Sequence, residues 1–186
     1  MVNNAIRAVF LDRDGVINRD AGYVFRWADF EFLPGVIDAL RHLTNAGYLL
    51  IVITNQSGVA RGYYTEQDVQ TLTQQMTDYL ASQGVHITAT YYCPHHVDGS
   101  VTKYRRACDC RKPGPAMLLE AVAAHHLSLD QSIMIGDKSS DIEAARAAGV
   151  GIAYLIDAKA TAQRTPASKP DGVFSDLASC VKHLLA

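Results

Sequence analysis

Long apolar segments are absent from this chain of 186 residues. The longest apolar run, Tyr48 to Ile53, is far too short to cross a bilayer. The N-terminal residues also lack a basic region followed by an apolar core, which a secretory signal would need. We therefore expect a cytoplasmic protein with no membrane partner.

An excess of basic residues is absent as well. Lys and Arg number 17 against 19 Asp and Glu, so the formal net charge is -2. Nucleic-acid-binding domains usually carry a basic surface, and we expect no nucleic-acid partner. The length suits one domain of ordinary size, and no internal repeat or interdomain linker is evident. We expect a single domain, residues 1–186, that acts as a monomer.

Cysteine is scarce, but three of the four cysteines lie together beside histidines. In a reducing compartment this spacing favours a metal site over disulfides. The predicted zinc ligands are Cys93, His95, Cys108 and Cys110. Four protein ligands leave no position for water, so the predicted Zn²⁺ is structural and holds the segment 93–110, which we call the zinc loop. Free buried thiols are the alternative, and His96 is the alternative ligand.

Two carboxylates end the first apolar run. Ala8 to Leu11 predicts a buried strand, and Asp12 and Asp14 follow it. Alternation along an extended segment places these two acids on one side with Arg13 turned away. Gly15 lets the backbone leave the strand sharply. Asp12 is the candidate nucleophile, although Asp and Gly are also ordinary turn residues.

Three later segments supply groups that phosphoryl transfer needs. Thr54 follows an apolar strand and offers a hydroxyl to a phosphate oxygen. Lys112 lies two residues after the zinc loop and offers a cation. Asp137 follows the apolar run 132–135 and is expected to bind Mg²⁺ together with Asp12. Asp141 is expected to orient this loop or to cap the next helix.

The predicted elements alternate between strand and helix. This order favours an α/β fold, a Rossmann-like three-layer sandwich with a mainly parallel central sheet. The segment 16–32 is predicted to be a hairpin-like flap beside the acids. The short separation of Asp14 and Thr54 leaves no room for an inserted cap domain. The residues expected to bind phosphate or substrate are Arg13, Asp20, Ala21, Gly22, Tyr23, Thr54, Asn55, Gln56, Ser57, Arg111, Lys112 and Lys138.

In order and type, these motifs resemble those of the haloacid dehalogenase superfamily of phosphatases, and the resemblance covers the whole chain. It implies that Asp12 attacks phosphorus to form an aspartyl phosphate while Asp14 donates and later accepts a proton. It also implies that Mg²⁺ is held by Asp12, Asp14 and Asp137. A binding protein on a degenerate phosphatase fold is disfavoured, because both Asp12 and Asp14 are present.

Four longer segments, 10–18, 54–62, 91–96 and 108–113, narrow the resemblance to a zinc-containing branch of that superfamily. The implied activity is removal of the C7 phosphate from D-glycero-D-manno-heptose 1,7-bisphosphate, a small phosphorylated sugar of lipopolysaccharide-core synthesis. Histidinol phosphate is the alternative substrate, because both activities share the motifs. Arg111 is expected to contact a second anionic or hydroxyl group of the substrate.

Overall fold

The apolar runs form one parallel sheet. The computed structural model describes residues 5–157 and 169–186. The sheet has six strands in the order β3-β2-β1-β4-β5-β6, and every neighbouring pair is parallel. The strands are β1 Ala8–Leu11, β2 Leu49–Asn55, β3 Ile87–Cys93, β4 Ile133–Gly136, β5 Ile152–Ile156 and β6 Gly172–Phe174. The predicted α/β class with a mainly parallel sheet is confirmed.

Helices cover both faces of the sheet. They are α1 Val36–Asn45, α2 Glu66–Ser82, α3 Ala116–His125, α4 Ser139–Ala148 and α5 Leu177–Leu184. Side chains of α1, α2 and α5 pack on one face of the sheet, and those of α3 and α4 pack on the other. Strand β1 alternates between these two cores, since Val9 belongs to the first and Phe10 to the second. Burial on both faces explains why β1 is a continuous apolar run.

The end of β2 differs from the prediction. The strand continues through Thr54 and Asn55, which pair with Tyr92 and Cys93 of β3, whereas the sequence predicted a loop after Ile53. Polar residues are unusual in a buried strand, but these two lie at its carboxyl end, where the sheet opens toward a site.

Two further elements also differ. Strand β6 was missed, because it is only three residues long and only partly buried. The flap is less regular than a hairpin: an isolated bridge joins Asn18 to Phe32, and a 3-10 turn spans Trp27–Asp29. The aromatic rings of Trp27 and Phe30 stack at its base, and Phe32 meets both of them edge to face.

The strand order reverses at β1, which lies between β2 and β4. Open α/β sheets bind ligands at the carboxyl ends of strands beside such a reversal. The amide of Asp12 donates to the carbonyl oxygen of Ile135 at 3.0 Å, so the ends of β1 and β4 lie side by side. No helix in the described ranges has the length and hydrophobicity to cross a membrane.

Candidate active site

Three carboxylates meet at the ends of β1 and β4. Asp12 follows β1, Asp137 follows β4, and Asp141 lies in the first turn of α4. One oxygen from each lies within 4.8 Å of the others. The structure therefore brings the predicted Asp12 and Asp137 together. It adds Asp141, whose sequence position predicted a role in orienting this loop or capping the helix.

Lys112 enters this cluster from the segment after the zinc loop. Its Nζ lies 3.0 Å from Asp12 Oδ1 and 2.5 Å from Asp141 Oδ1, and it donates to the carbonyl oxygen of Ile53 at 2.8 Å. The Lys112 side chain is almost completely buried. Two carboxylate oxygens and one carbonyl oxygen thus surround the ammonium group.

Burial sets the electrostatics of the cluster. It raises the pKa of Asp12, an effect that Lys112 offsets only in part. Burial, together with the charge of Asp12, raises the pKa of Asp137 to about 8. Burial acts to lower the pKa of Lys112, but the charges of Asp12 and Asp141 outweigh it and raise that pKa.

The cluster has the properties of a divalent-cation site. With all three carboxylates ionised, the cluster would carry two negative charges more than the Lys112 ammonium balances, and a divalent cation would offset that surplus. Asp137 Oδ1 is buried without a hydrogen-bond partner, and a buried unpaired oxygen is costly unless a ligand satisfies it. Gly15 approaches closely, because a Cβ atom there would lie 2.3 Å from Asp137 Oδ2. Carboxylate oxygens are the ligands that Mg²⁺ prefers.

Asp14 lies apart from this cluster in its hydrogen bonding. Its carboxylate accepts from the guanidinium of Arg13 at 2.9 Å, from the Asn18 amide at 3.0 Å and from the Gln56 amide at 3.1 Å. The carboxylates that group as possible metal ligands are those of Asp12, Asp137 and Asp141. The predicted role of Asp14 in holding Mg²⁺ stays a prediction, and its side-chain oxygens accept from Arg13, Asn18 and Gln56.

The expectation that Arg13 turns away from Asp14 is wrong. The chain leaves the strand immediately after Asp12, so strict alternation no longer applies. Arg13 folds inward, pairs with Asp14 and donates to the carbonyl oxygen of Val24 at 2.7 Å. Only 1% of its surface is exposed. In this structure Arg13 supports the acid and the flap, and it does not face the pocket as a substrate ligand.

The end of β2 supplies two further side chains. Thr54 is buried, and its Oγ1 accepts from Gln56 Nε2 at 2.9 Å. Asn55 clasps the backbone of Lys112: its Nδ2 donates to the Lys112 carbonyl oxygen at 3.1 Å, and its Oδ1 accepts from the Lys112 amide at 3.0 Å. Asn55 thus fixes the strand end to the Lys112 backbone.

A pocket of about 190 Å³ opens beside these groups. Its walls are Asp14, Asp20, Gly22, Tyr23, Asn55, Gln56, Ser57, Tyr64 and Lys138. Lys138 Nζ lies 3.2 Å from Asp20 Oδ2, and this contact ties the flap to the loop after β4. The edge of the Tyr23 ring meets Tyr63, with centroids 4.7 Å apart. Most of the residues predicted to bind substrate therefore surround one space.

Five predicted substrate residues lie outside the walls of this pocket: the buried Arg13, Thr54 and Lys112 described above, together with Ala21 and Arg111. Ala21 is exposed on the flap between Asp20 and Gly22. Arg111 sits at the end of the zinc loop, with Nη1 3.5 Å from the carbonyl oxygen of His95. Tyr64, which does line the pocket, was not predicted. Its sequence context, a pair of tyrosines before a helix cap, carries no signal for a site.

The cysteine and histidine side chains of the zinc loop converge. The Sγ atoms of Cys93, Cys108 and Cys110 lie 3.0–3.5 Å from one another. His95 directs Nδ1 at them, 3.3 Å from Cys110 Sγ. His96 instead accepts from the amide of Asp98 and contacts Arg61. Three sulfurs and one ring nitrogen in this arrangement fit a tetrahedral zinc ion.

The doubly wound sheet, with an Asp-x-Asp strand end, a buried lysine and a second acidic loop, defines a hydrolase of the haloacid dehalogenase class. Residues 109–180 match the family model described as HAD-hydrolase-like. A D-glycero-beta-D-manno-heptose-1,7-bisphosphate 7-phosphatase of Salmonella typhi is 51% identical over 152 residues, which cover 82% of this chain and 81% of the relative.

A relative of the same name from Yersinia pestis is 42% identical, with 100% of this chain and 98% of the relative covered. Among solved structures, a D,D-heptose 1,7-bisphosphate phosphatase of B. bronchiseptica complexed with magnesium and phosphate aligns with a TM-score of 0.79 and 28% identity. That alignment covers 97% of this chain and 98% of the other. The chain therefore belongs to the haloacid dehalogenase superfamily and, within it, to the family of these heptose-bisphosphate phosphatases.

Proposed function

We propose that this chain is a cytoplasmic, monomeric, single-domain phosphomonoesterase that removes the C7 phosphate of D-glycero-D-manno-heptose 1,7-bisphosphate. The chemistry rests on one observation, the convergence of Asp12, Asp137, Asp141 and Lys112 at the ends of β1 and β4. The substrate rests on the names of relatives that are 42–51% identical. The product would serve the synthesis of activated heptose for lipopolysaccharide.

In the first step, Asp12 attacks phosphorus. A bond forms between a carboxylate oxygen of Asp12 and phosphorus, and the bond from phosphorus to the sugar oxygen breaks. Asp14 gives its proton to the departing oxygen. Thr54 and Lys112 donate to the oxygens of the phosphoryl group and so stabilise the charge that develops on them.

In the second step, water hydrolyses the aspartyl phosphate. Asp14, now ionised, accepts a proton from that water, and inorganic phosphate leaves Asp12 as the free carboxylate. Mg²⁺ held by Asp12 and Asp137 would supply positive charge beside the transferring group. Asp141 would maintain the position of Lys112.

The zinc loop is proposed to hold Zn²⁺ through Cys93, His95, Cys108 and Cys110. The loop carries few apolar contacts of its own, so metal binding would replace a hydrophobic core there. The loop ends next to Arg111 and Lys112, and its order therefore fixes both cations. We propose that Arg111 binds the second phosphate of a bisphosphate substrate. That phosphate lies farther from Asp12 than the phosphate that reacts.

The experiment compares phosphate release from heptose 1,7-bisphosphate and from histidinol phosphate as kcat/KM in Mg²⁺ buffer. Both anomers of the heptose substrate are used, and ³¹P NMR identifies which phosphate leaves. We expect the heptose bisphosphate to be strongly preferred and to lose its C7 phosphate. Preference for histidinol phosphate would overturn the substrate assignment.

The variant Asp12→Asn tests the nucleophile. The amide of Asn cannot form the aspartyl phosphate, so turnover should be abolished. The variant should still fold in the absence of Mg²⁺. A mock purification measures the activity of contaminating phosphatase. Substantial Mg²⁺-dependent activity of the variant above that level would contradict the mechanism. Glu120→Gln, on the exposed face of α3, serves as the matched control.

A further inference from the structure

Gln56 is enclosed by protein groups. Its side chain is 2% exposed. Nε2 donates to Asp14 Oδ2 at 3.1 Å and to Thr54 Oγ1 at 2.9 Å, and Oε1 accepts from the Tyr64 hydroxyl at 2.7 Å. A primary amide has two N–H donors, and the protein uses both. Gln56 therefore has no free proton for a substrate, although it was predicted to bind one.

Tyr64 determines which way this amide faces. Oxygen and nitrogen of an amide are distinguished by their partners, and a phenol that donates selects the oxygen. Burial raises the pKa of Tyr64 to about 12, so the hydroxyl keeps its proton at neutral pH. The ring stacks on Phe25 with centroids 5.1 Å apart. Gly58 makes room for it, since a Cβ atom there would lie 2.1 Å from Tyr64 Cε1.

The hydrogen bonds have a direction that matters for the phosphate. Thr54 Oγ1 accepts from Gln56, so the single hydroxyl proton of Thr54 stays available to donate outward. The same Gln56 nitrogen holds Oδ2 of Asp14, Asn18 holds Oδ1, and Arg13 donates to both oxygens. Gln56 is thus the link between the proton-transfer group and the phosphate-binding hydroxyl.

We propose that Gln56 is a positioning residue that holds Asp14 for proton transfer and turns the Thr54 hydroxyl proton toward the phosphate, with Tyr64 fixing the amide orientation. This inference rests on the proposed phosphatase function and goes beyond it in naming the residues that place the acid. Gln56 lies in the pocket wall, and its role in the reaction is exerted through Asp14 and Thr54.

The test uses two small substrates that differ in their need for an acid. p-Nitrophenyl phosphate releases a stable anion, whereas phenyl phosphate has a poorer leaving group of similar size. kcat/KM is measured for both in Gln56→Met and Tyr64→Phe, with Asp14→Asn as the reference for a lost acid. Gln74→Met and Tyr79→Phe, on the exposed side of α2, are the matched controls.

We expect Gln56→Met to raise the ratio of kcat/KM for p-nitrophenyl over phenyl phosphate roughly tenfold, in the direction of Asp14→Asn, because general-acid catalysis contributes ~10²–10⁴. Tyr64→Phe should shift the ratio in the same direction by a smaller factor. Equal losses on both substrates, or a rise in KM alone, would show that Gln56 binds substrate and would overturn the inference.

The two proposals fail in different ways. If the unmodified chain releases no phosphate from any substrate, the proposed function fails. Suppose instead that the unmodified chain is active and Asp12→Asn is inactive. If the ratio of kcat/KM values then stays unchanged in both Gln56→Met and Tyr64→Phe, the proposed function stands and the positioning role is wrong. Tyr64→Phe keeps the ring and its stacking, so it decides the question even where Gln56→Met folds poorly.

Discussion

Lys112 and Asp141 form a buried ion pair, with Nζ 2.5 Å from Oδ1 and both side chains at most 2% exposed. Asp141 also accepts from the amide of Lys138 through Oδ2 at 2.9 Å, so one carboxylate both starts α4 and anchors the lysine. Gly136 permits this approach, because a Cβ atom there would lie 2.2 Å from the Asp141 Cβ.

Asp141→Asn should lower the free energy of unfolding by about 3 kcal/mol, since it removes one partner of a buried pair. It should also reduce kcat. Lys112 would then pair with Asp12 alone, and the Asp12 carboxylate would be less available to attack phosphorus. Urea unfolding and steady-state kinetics measure the two effects. Exposed Asp130→Asn is the control, and we expect it to change stability by at most about 0.5 kcal/mol. If Asp141→Asn is as stable and as active as the unmodified chain, the Lys112–Asp141 ion pair contributes to neither stability nor turnover.

Sequence alone could predict that Asp12 and Asp137 meet, because both follow buried strands whose carboxyl ends share one edge of a parallel sheet. Asp141 could not be assigned this way. Its position indicated a helix cap, which it is, but its contact with Lys112 depends on how the zinc loop returns to the sheet. Likewise the inward turn of Arg13 depends on a backbone departure from the strand, which alternation cannot describe.

The strands were predictable for a related reason. Runs buried on both faces, such as Ala8–Leu11, are continuously apolar and stand out in sequence. Strand β6 lacks this signal, since Val173 is exposed at 38% and its two neighbours are half-buried. Thr54 and Asn55 read as a loop because their polar side chains serve the site, although their backbone belongs to β2.

A comparison of His95→Ala with His96→Ala tests the metal set of the zinc loop. We expect His95→Ala to lose most of its bound zinc and to show a lower Tm, because His95, unlike His96, directs a ring nitrogen at the sulfurs. His96→Ala should retain one zinc per chain, measured by inductively coupled plasma spectrometry after exhaustive dialysis. Cys180→Ala controls for loss of a thiol, since Cys180 lies in the core far from the cluster along the chain. Equal zinc content in both histidine variants would contradict the assignment of His95.

Variants of Lys138 and Asp20 test how the contact between the flap and the loop after β4 contributes to substrate binding. Lys138→Ala should raise KM for the phosphorylated substrate severalfold, because it removes a cation from the pocket wall and the contact that holds the flap. Asp20→Ala breaks the same contact and leaves the cation in place. Its KM should therefore rise less than that of Lys138→Ala. If the two variants have the same KM, Lys138 acts only through the flap and has no direct part in binding.

The cap of α5 gives a pH-dependent prediction. Asp176 accepts from the amide of Ser179 at 2.7 Å. This bond, helped by the Ser175 hydroxyl, holds the pKa of Asp176 below its ordinary value of 3.8. A carboxyl group with a lowered pKa in the folded chain stabilises the fold above the unfolded-state pKa, and the contribution disappears as pH falls through the folded-state value. Asp176→Ala should thus cost about 1 kcal/mol at pH 7, the usual worth of a helix cap.

The difference between Asp176→Ala and the unmodified chain should shrink as pH falls from 5 to below 3.8, because protonation removes the charged acceptor from the unmodified chain as well. Asp176→Asn separates capping from charge: its amide oxygen still accepts from Ser179, and it does not titrate. Its stability should therefore lie near that of the unmodified chain at neutral pH and exceed that of Asp176→Ala at every pH. Urea unfolding at each pH, with Glu120→Gln as an exposed control, measures these differences. A pH-independent gap between Asp176→Ala and the unmodified chain would show that the carboxylate charge contributes nothing to the cap.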